Sequence, residues 1–117
     1  MADQELTLRR ADGVVVCERC TLAYSPFTRL RGLLGRDGLD AGEGLLLRPA
    51  SSIHTFFMRF PIDAVFLDRA LVVVGIAGGV APWRAASRRG AKAVLELPAG
   101  ESFRRGLAVG DQLTLAA

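Results

Sequence analysis

The sequence predicts a β-rich α+β domain of six to eight short strands, one helix and one short helical turn. Short apolar runs, several of them β-branched, recur along the chain and are separated by Gly, Asp or Pro, which is typical of strands joined by turns. Only one segment, residues 25–35, repeats apolar residues at helical spacing. A chain of 117 residues has the size of one domain, so we assign residues 1–117 to a single domain. The sheet is expected to be coiled or to form a partly closed barrel.

The strands follow the apolar runs in order. Residues 6–8 and 14–17 form a predicted hairpin across Asp12 and Gly13, and residues 22–24 form a short third strand. Ser25 and Pro26 begin the helix, and Gly35 ends it. A helical turn is predicted over residues 100–105. Irregular segments are predicted over residues 51–63 and 80–90, and the remaining strands over residues 44–47, 64–67, 71–77, 91–97 and 112–115.

Charge and composition limit the partners that we expect. The net charge of +3 comes from fourteen arginines and one lysine, scattered along the chain in pairs and triplets. Because no helix or loop is dense in arginine interleaved with aromatic residues, these features argue against nucleic acid as the main partner. Weak association through the scattered arginines stays an alternative. The acidic first residues and the absence of a run of about 18 apolar residues predict a cytoplasmic protein with no membrane partner.

One stretch, residues 51–68, concentrates the side chains that could bind or react. It contains the only histidine, His54, and we predict a ligand-binding groove formed by His54, Phe57, Arg59 and Asp63. Asp63 follows Pro61 at the start of a strand, and its carboxylate either caps amides of the preceding loop, pairs with Arg59, or faces a cleft beside His54. A His54–Asp63 pair could also serve a hydrolase, although no motif supplies the nucleophile.

Cys17 and Cys20 have the spacing of half a zinc site, which His54 and Asp63 could complete. No second paired motif is present, so we predict two thiols without a metal and expect no cofactor.

Other clusters also have two interpretations. Arg29, Arg31, Arg36 and Arg59 either form an anion pocket or pair with Asp37, Asp40 and Glu43. Phe56, Phe57, Met58 and Phe60 form an apolar cluster of which one or two members are expected to be exposed as a binding lip.

Five motifs occur in one order along the chain: RGLLGR at 31–36, GLLL at 44–47, PIDAVFLD at 61–68, VLELPAG at 94–100 and GLAVGD at 106–111. This series resembles the domain of unknown function 192 family, small uncharacterised bacterial and archaeal proteins, over about residues 24–115. The resemblance implies a compact β-rich fold and no particular activity. Where the commoner branch of that family carries Trp-Met-Lys-Asn-Thr, this chain carries His54, Thr55, Phe56, Phe57 and Met58.

The residues therefore favour a non-enzymatic binding or accessory module whose partner is a small molecule or a protein. A mixture of aromatic, basic and acidic side chains occurs in one loop, without the phosphate-binding loop or nucleophile motif of a familiar enzyme. The alternatives are a hydrolase that uses His54 and Asp63, with or without a metal, and weak association with nucleic acid.

Overall fold

Strands dominate residues 4–23 and 36–116, which the computed structural model describes. A main sheet contains seven strands: β1 (Gln4–Arg10), β2 (Val15–Ala23), β3 (Glu43–Leu47), β5 (Ile62–Leu67), β6 (Val73–Val80), β8 (Ala93–Pro98) and β9 (Leu113–Ala116). Two short strands, β4 (Ser52–His54) and β7 (Ala85–Ser87), form a separate ribbon. In this part of the chain the helical structure is α1 (Glu101–Arg104), close to the predicted turn. The β-rich α+β prediction is confirmed, whereas the helix predicted over residues 25–35 lies outside the described residues.

The main sheet is mixed and strongly curved. Its strand order is β6-β5-β8-β3-β2-β1-β9, and every neighbouring pair is antiparallel except β2 and β3, which are parallel. The two edge strands meet at one end, where Val72 and Gln112 form a bridge and the Leu113 amide donates to the Leu71 carbonyl at 2.9 Å. Beyond that point no ladder joins β6 to β9 in the described residues. The sheet is therefore coiled but not closed into a barrel.

Both faces of the sheet carry a core. All six residues of β5 are buried, because Val65 and Leu67 pack on one face and Ile62, Ala64 and Phe66 on the other. A continuous apolar run is typical of a strand covered on both sides. The inner face packs against itself across the curve of the sheet. The outer face is covered by the ribbon through Ile53 and by the loop after β4 through Met58 and Phe60.

The structure corrects three predicted segments. The strands at 14–17 and 22–24 are one strand, β2, whose exposed Glu18 and Arg19 interrupt the apolar pattern without ending the pairing. The segments predicted as irregular, 51–63 and 80–90, contain β4 and β7. These strands are three residues long and largely exposed, so neither has a periodicity that a sequence can show. Each is a strand because the other pairs with it.

No described helix is both long and apolar enough to cross a membrane.

Two glycines of the sheet differ in what surrounds them. A Cβ on Gly44 would lie 2.8 Å from the Cys17 Sγ, 3.0 Å from Leu97 Cδ2 and 3.1 Å from the Glu96 carbonyl oxygen. These neighbours are buried and one is backbone, so none can move away cheaply. A Cβ on Gly75 would instead meet the side chain of Arg88, which is exposed and can rotate outward. Close packing therefore requires glycine at position 44 more strictly than at position 75.

We expect Gly44→Ala to lower the free energy of unfolding by about 1–3 kcal/mol, because the added methyl overpacks a filled core. Gly75→Ala serves as the control and should change it by no more than about 0.5 kcal/mol. Urea unfolding followed by circular dichroism measures both. Equal effects of the two substitutions would contradict the packing argument.

Candidate functional site

Four aromatic side chains meet beside the ribbon and form a surface that we call the aromatic lip: His54, Phe56, Phe57 and Trp83. His54 stacks on Phe56 with ring centroids 4.8 Å apart, and Phe56 stacks on Trp83 at 6.0 Å, each pair inclined by 25°. Phe57 meets Trp83 edge-on at 4.6 Å. The phenylalanines and the tryptophan are exposed to different extents: 67% of Phe57, 55% of Trp83 and 40% of Phe56 is accessible to solvent. Large apolar side chains that cluster while exposed mark an interaction surface.

The hydroxyl of Thr55 holds the two segments of the lip together. Thr55 is fully buried, and its Oγ1 donates to the Ala81 carbonyl at 2.6 Å and accepts from the Arg84 amide at 2.9 Å. Its backbone bonds to the same segment, since the Thr55 amide donates to the Arg84 carbonyl and the Trp83 amide donates to the Thr55 carbonyl. Thr55 therefore sets the position of residues 81–84 relative to residues 54–58.

Phe57 and Trp83 both have a left-handed backbone, each with φ of 66°. Bulky residues rarely adopt this conformation, which costs roughly 1–3 kcal/mol and persists only where the surroundings impose it. Both residues turn their rings into solvent, so burial of the ring does not explain the conformation. Leu71 has the same φ but is buried, so it is the exposure and mutual contact of Phe57 and Trp83 that motivate the hypothesis of a functional surface.

A shallow depression of about 430 Å³ opens along the outer face of the ribbon. Its floor is flat because most of the ribbon side chains that line it are small, and His54 and Phe56 stand at one end of it. The depression thus joins the stacked rings to an open strip along the ribbon; its lining consists of Ser52, Ile53, His54, Phe56, Ala85, Ala86 and Ser87.

Asp63 lies elsewhere, in the core, where its carboxylate clamps three parts of the fold together. Oδ1 accepts from the Gly79 amide at 2.8 Å and the Gly100 amide at 3.1 Å. Oδ2 accepts from the Ser102 amide at 3.0 Å and the Ser102 hydroxyl at 2.6 Å. The carboxylate does cap backbone amides, but the prediction that they belong to the preceding loop is wrong, because the donors come from the end of β6 and the start of α1. The expected pairing with Arg59 does not occur, because the ion pair of Arg59 is with Asp37 at 3.3 Å.

Burial raises the pKa of Asp63, but the hydrogen bonds from Ser102, Gly79 and Gly100 together outweigh it, and the pKa lies below its usual value of 3.8. The carboxylate is therefore ionised at neutral pH, and each of its oxygens accepts two hydrogen bonds. It does not line the depression that His54 lines. Asp63 is therefore not positioned to orient His54 for acid–base chemistry.

Two arginines of the predicted anion pocket, Arg36 and Arg59, lie in the described part of the chain, and both form ion pairs. Arg36 pairs with Glu43 at 2.8 Å, and Arg59 pairs with Asp37, so the pairing alternative is confirmed for both. Arg29 and Arg31 lie outside the described residues.

Cys17 and Cys20 are free, fully buried thiols in the inner core. The hydrogen bond between them lowers the pKa of Cys17 and raises that of Cys20, and burial raises the Cys20 value further. Across residues 4–23 and 36–116, no three or more His, Cys, Asp or Glu side chains are grouped so that they could hold a metal ion.

Of the four predicted site residues, the structure places His54 and Phe57 in the lip, Arg59 exposed in the same loop, and Asp63 in the core. As expected, part of the phenylalanine cluster is exposed, namely Phe56 and Phe57, while Met58 and Phe60 are buried. That these residues bind a ligand stays a prediction. Sequence reasoning missed Thr55 and Trp83 as members of the site. Trp83 is the only tryptophan and is followed by arginine, a signal that could have been used.

We expect Thr55→Val to destabilise the protein by about 1–3 kcal/mol, because it leaves the part-buried Arg84 amide and the Ala81 carbonyl without their side-chain partner. Thr55→Ser keeps the hydroxyl and should cost less. Since Trp83 is the only tryptophan, its fluorescence reports the lip directly. A Thr55→Val protein with unchanged stability and unchanged Trp83 emission would rule out the hydroxyl as the link.

We expect Asp63→Asn to lower the free energy of unfolding at neutral pH by about 3 kcal/mol, because the new amide nitrogen faces hydrogen-bond donors. The pKa of Asp63 is depressed in the folded protein, so its contribution is complete above the unfolded pKa and is lost as the pH falls through the folded pKa. The difference between wild type and variant should therefore narrow below about pH 4 in urea titrations. A difference that stays constant in acid would contradict this.

Comparisons with known proteins agree with the fold. A solved structure of a protein of unknown function from Novosphingobium aromaticivorans has a TM-score of 0.79 and 25% identity, covering 96% of this chain and 84% of the other. A second, from Sinorhizobium meliloti and described as a candidate transcription regulator, has a TM-score of 0.82 and 25% identity, covering 97% of this chain and 94% of the other.

Comparisons of the sequence identify the family. A UPF0127 protein of Thermococcus sibiricus is 31% identical over 113 residues, which span 92% of this chain and 73% of that protein. The model of the DUF192 family, described as "Uncharacterized ACR", matches residues 7–115 and so extends further towards the start of the chain than the sequence motifs indicated. The chain therefore belongs to the DUF192 family.

Proposed function

We propose that the protein is a non-enzymatic binding module, and that the aromatic lip with the adjoining depression is its binding site. The observation that carries this proposal is the pair of exposed, left-handed aromatic residues, Phe57 and Trp83, which touch in solvent. The left-handed backbone of these two residues lowers the stability of the fold. Because the rings are exposed, their burial offsets little of that loss. A partner that covers the two rings would bury apolar surface that is exposed in the isolated protein, and this burial would favour binding.

The shape of the site supports a ligand with flat or apolar groups. Rings supply large contact area at a small cost in side-chain entropy, and the bonds of Thr55 hold the lip in place before a partner arrives. The strip beside it offers the hydroxyl groups of Ser52 and Ser87 for orientation. Apolar walls with a few polar groups are the usual composition of a ligand site.

The remaining predicted residues take other roles in this proposal. Arg59 is exposed in the same loop and contributes positive charge at the rim, where it already faces Asp37. Asp63 supports the site from the core by holding the Gly79 amide, just before the chain leaves β6 towards Trp83. We therefore propose Asp63 as a positioning residue without contact to the ligand.

The proposal is tested by NMR titration of the labelled protein with a panel of benzamide, indole and purine fragments and blocked phenylalanine peptides. We expect shifts confined to residues 52–58 and 81–87. Phe57→Gly should weaken the best probe about five- to tenfold, because it removes one ring of the lip. Its stability should stay within about 1 kcal/mol of wild type, because glycine relieves the left-handed backbone.

The matched control is Phe103→Gly, since Phe103 is an exposed phenylalanine on α1, 88% accessible and outside the lip. Binding should be unaffected by this change. Shifts scattered over the surface, or equal losses in the two variants, would refute the proposed site.

A further inference from the structure

Positive charge is segregated on the part of the protein that carries the aromatic lip. We call residues 48–61 and 81–92, which comprise the ribbon and its flanking loops, the basic lobe. It contains no Asp or Glu, and its cations are Arg48, Arg59, Arg84, Arg88, Arg89 and Lys92. The rest of the chain has nine cations against twelve acidic residues. The small net charge of the chain is therefore the sum of a strongly positive lobe and a remainder with a net negative charge.

Pairing of the ribbon creates this lobe. β4 and β7 come from segments some thirty residues apart, and their register sets Ser52 against Ser87 and His54 against Ala85. Past the end of the ribbon, the Arg88 amide donates to the Ser51 carbonyl. The exposed Arg88, Arg89 and Lys92 thereby follow the Ser52–Ser87 end of the ribbon, whereas the exposed Arg84 directly follows Trp83 of the lip. Within the described residues, no carboxylate pairs with Arg84, Arg88, Arg89 or Lys92.

The lip lies at one end of the ribbon, and three of the cations, Arg88, Arg89 and Lys92, follow its other end. The depression on the ribbon ends at His54 and Phe56 on one side and at Ser52 and Ser87 on the other. A second depression, of about 310 Å³, begins next to Ser52 in the chain and is lined by Pro49, Ala50, Ser51, Ala91 and Lys92. A chain-like anion could follow both hollows with its charges towards the cations.

The stacked rings of His54, Phe56 and Trp83, which we call the ring column, indicate which chemical groups the anion carries. His54, Phe56 and Trp83 stack in sequence with the same small inclination, and His54 is the member that lines the depression together with Phe56. A flat ring that enters the depression extends an existing stack, whereas an acidic peptide side chain does not. Alternating flat bases and phosphates are the repeat of a single-stranded nucleic acid, and aromatic rings with arginines are how proteins bind it without sequence preference.

We infer that the basic lobe binds single-stranded nucleic acid, with a base stacked on the His54–Phe56 end of the ring column and phosphates on Arg84, Arg88, Arg89 and Lys92. The inference rests on the proposed function, because it names the ligand class for the same site. It also revises the expectation drawn from the scattered arginines, since pairing of the ribbon brings arginines and aromatic residues from two separate segments into one lobe.

The test is fluorescence anisotropy with a labelled oligothymidylate of about twelve nucleotides, a length within the site sizes of known binders. Affinity should fall steeply between about 50 and about 200 mM NaCl. For each phosphate contact, the logarithm of the association constant should fall by about 0.7 for a tenfold rise in salt concentration. The double variant Arg84→Ser with Arg89→Ser should reduce that slope by about 1.4. Phe56→Leu keeps an apolar side chain but removes the flat ring, and should weaken binding about tenfold.

Two controls match these variants. Arg9→Ser with Arg19→Ser removes the same charge from exposed positions on β1 and β2, and Phe103→Leu removes an exposed ring outside the lobe. Neither should change the affinity by more than about twofold. If both arginine pairs weaken binding equally, net charge alone is responsible and the inference is overturned.

The outcome also separates this inference from the proposed function. Vesicles containing phosphatidylserine and a glutamate-rich peptide with one phenylalanine are titrated in parallel. Binding of either of them, or of the NMR fragments, to the lip without binding of oligothymidylate overturns the inference and leaves the proposed function standing. If no probe binds at the lip, both are refuted.

Discussion

The carboxylate of Asp63 is the constraint on which much of this structure depends. It projects from β5 and holds the Gly79 amide at the end of β6 together with Gly100 and Ser102 at the start of α1. Four donors converge on one buried charge, so removal of the charge would leave several amides without acceptors. Because the chain leaves β6 at Val80 and reaches Trp83 three residues later, the clamp also sets the origin of the segment that forms the lip.

Stability and function divide between neighbouring residues of one loop. Thr55 is buried and joins two segments through its hydroxyl, while Phe57, two residues later, is exposed and left-handed. The first arrangement stabilises the fold and the second costs it stability. Such a contrast is expected where a rigid scaffold presents side chains to a partner, since the strain persists only if the surrounding bonds impose it. It is the main reason to place the binding site at the lip and not at Asp63.

Charge and shape act together on the basic lobe. A positive field attracts any anion, and alone it would distinguish poorly between nucleic acid, acidic protein and lipid. The stacked rings beside the depression add a preference for flat groups, which only one of these ligands repeats along a chain of phosphates. The acidic remainder of the molecule directs an anionic partner to this one side, so modest net charge does not prevent selective binding.

The sequence by itself determined the β-rich class, the family and the exposure of part of the phenylalanine cluster. These follow from local patterns: apolar runs between turns, motifs in order, and an apolar loop too rich in rings to bury them all. It could not determine the ribbon, because strands of three small or polar residues have no periodicity. It also grouped His54 and Asp63 in one site because they are near in sequence, whereas the structure places His54 in the lip and Asp63 in the core. The lip, its link through Thr55 and the basic lobe were decided by tertiary structure alone. Each depends on contacts between residues 48–61 and 81–92, and such long-range pairing leaves no mark on either segment taken alone.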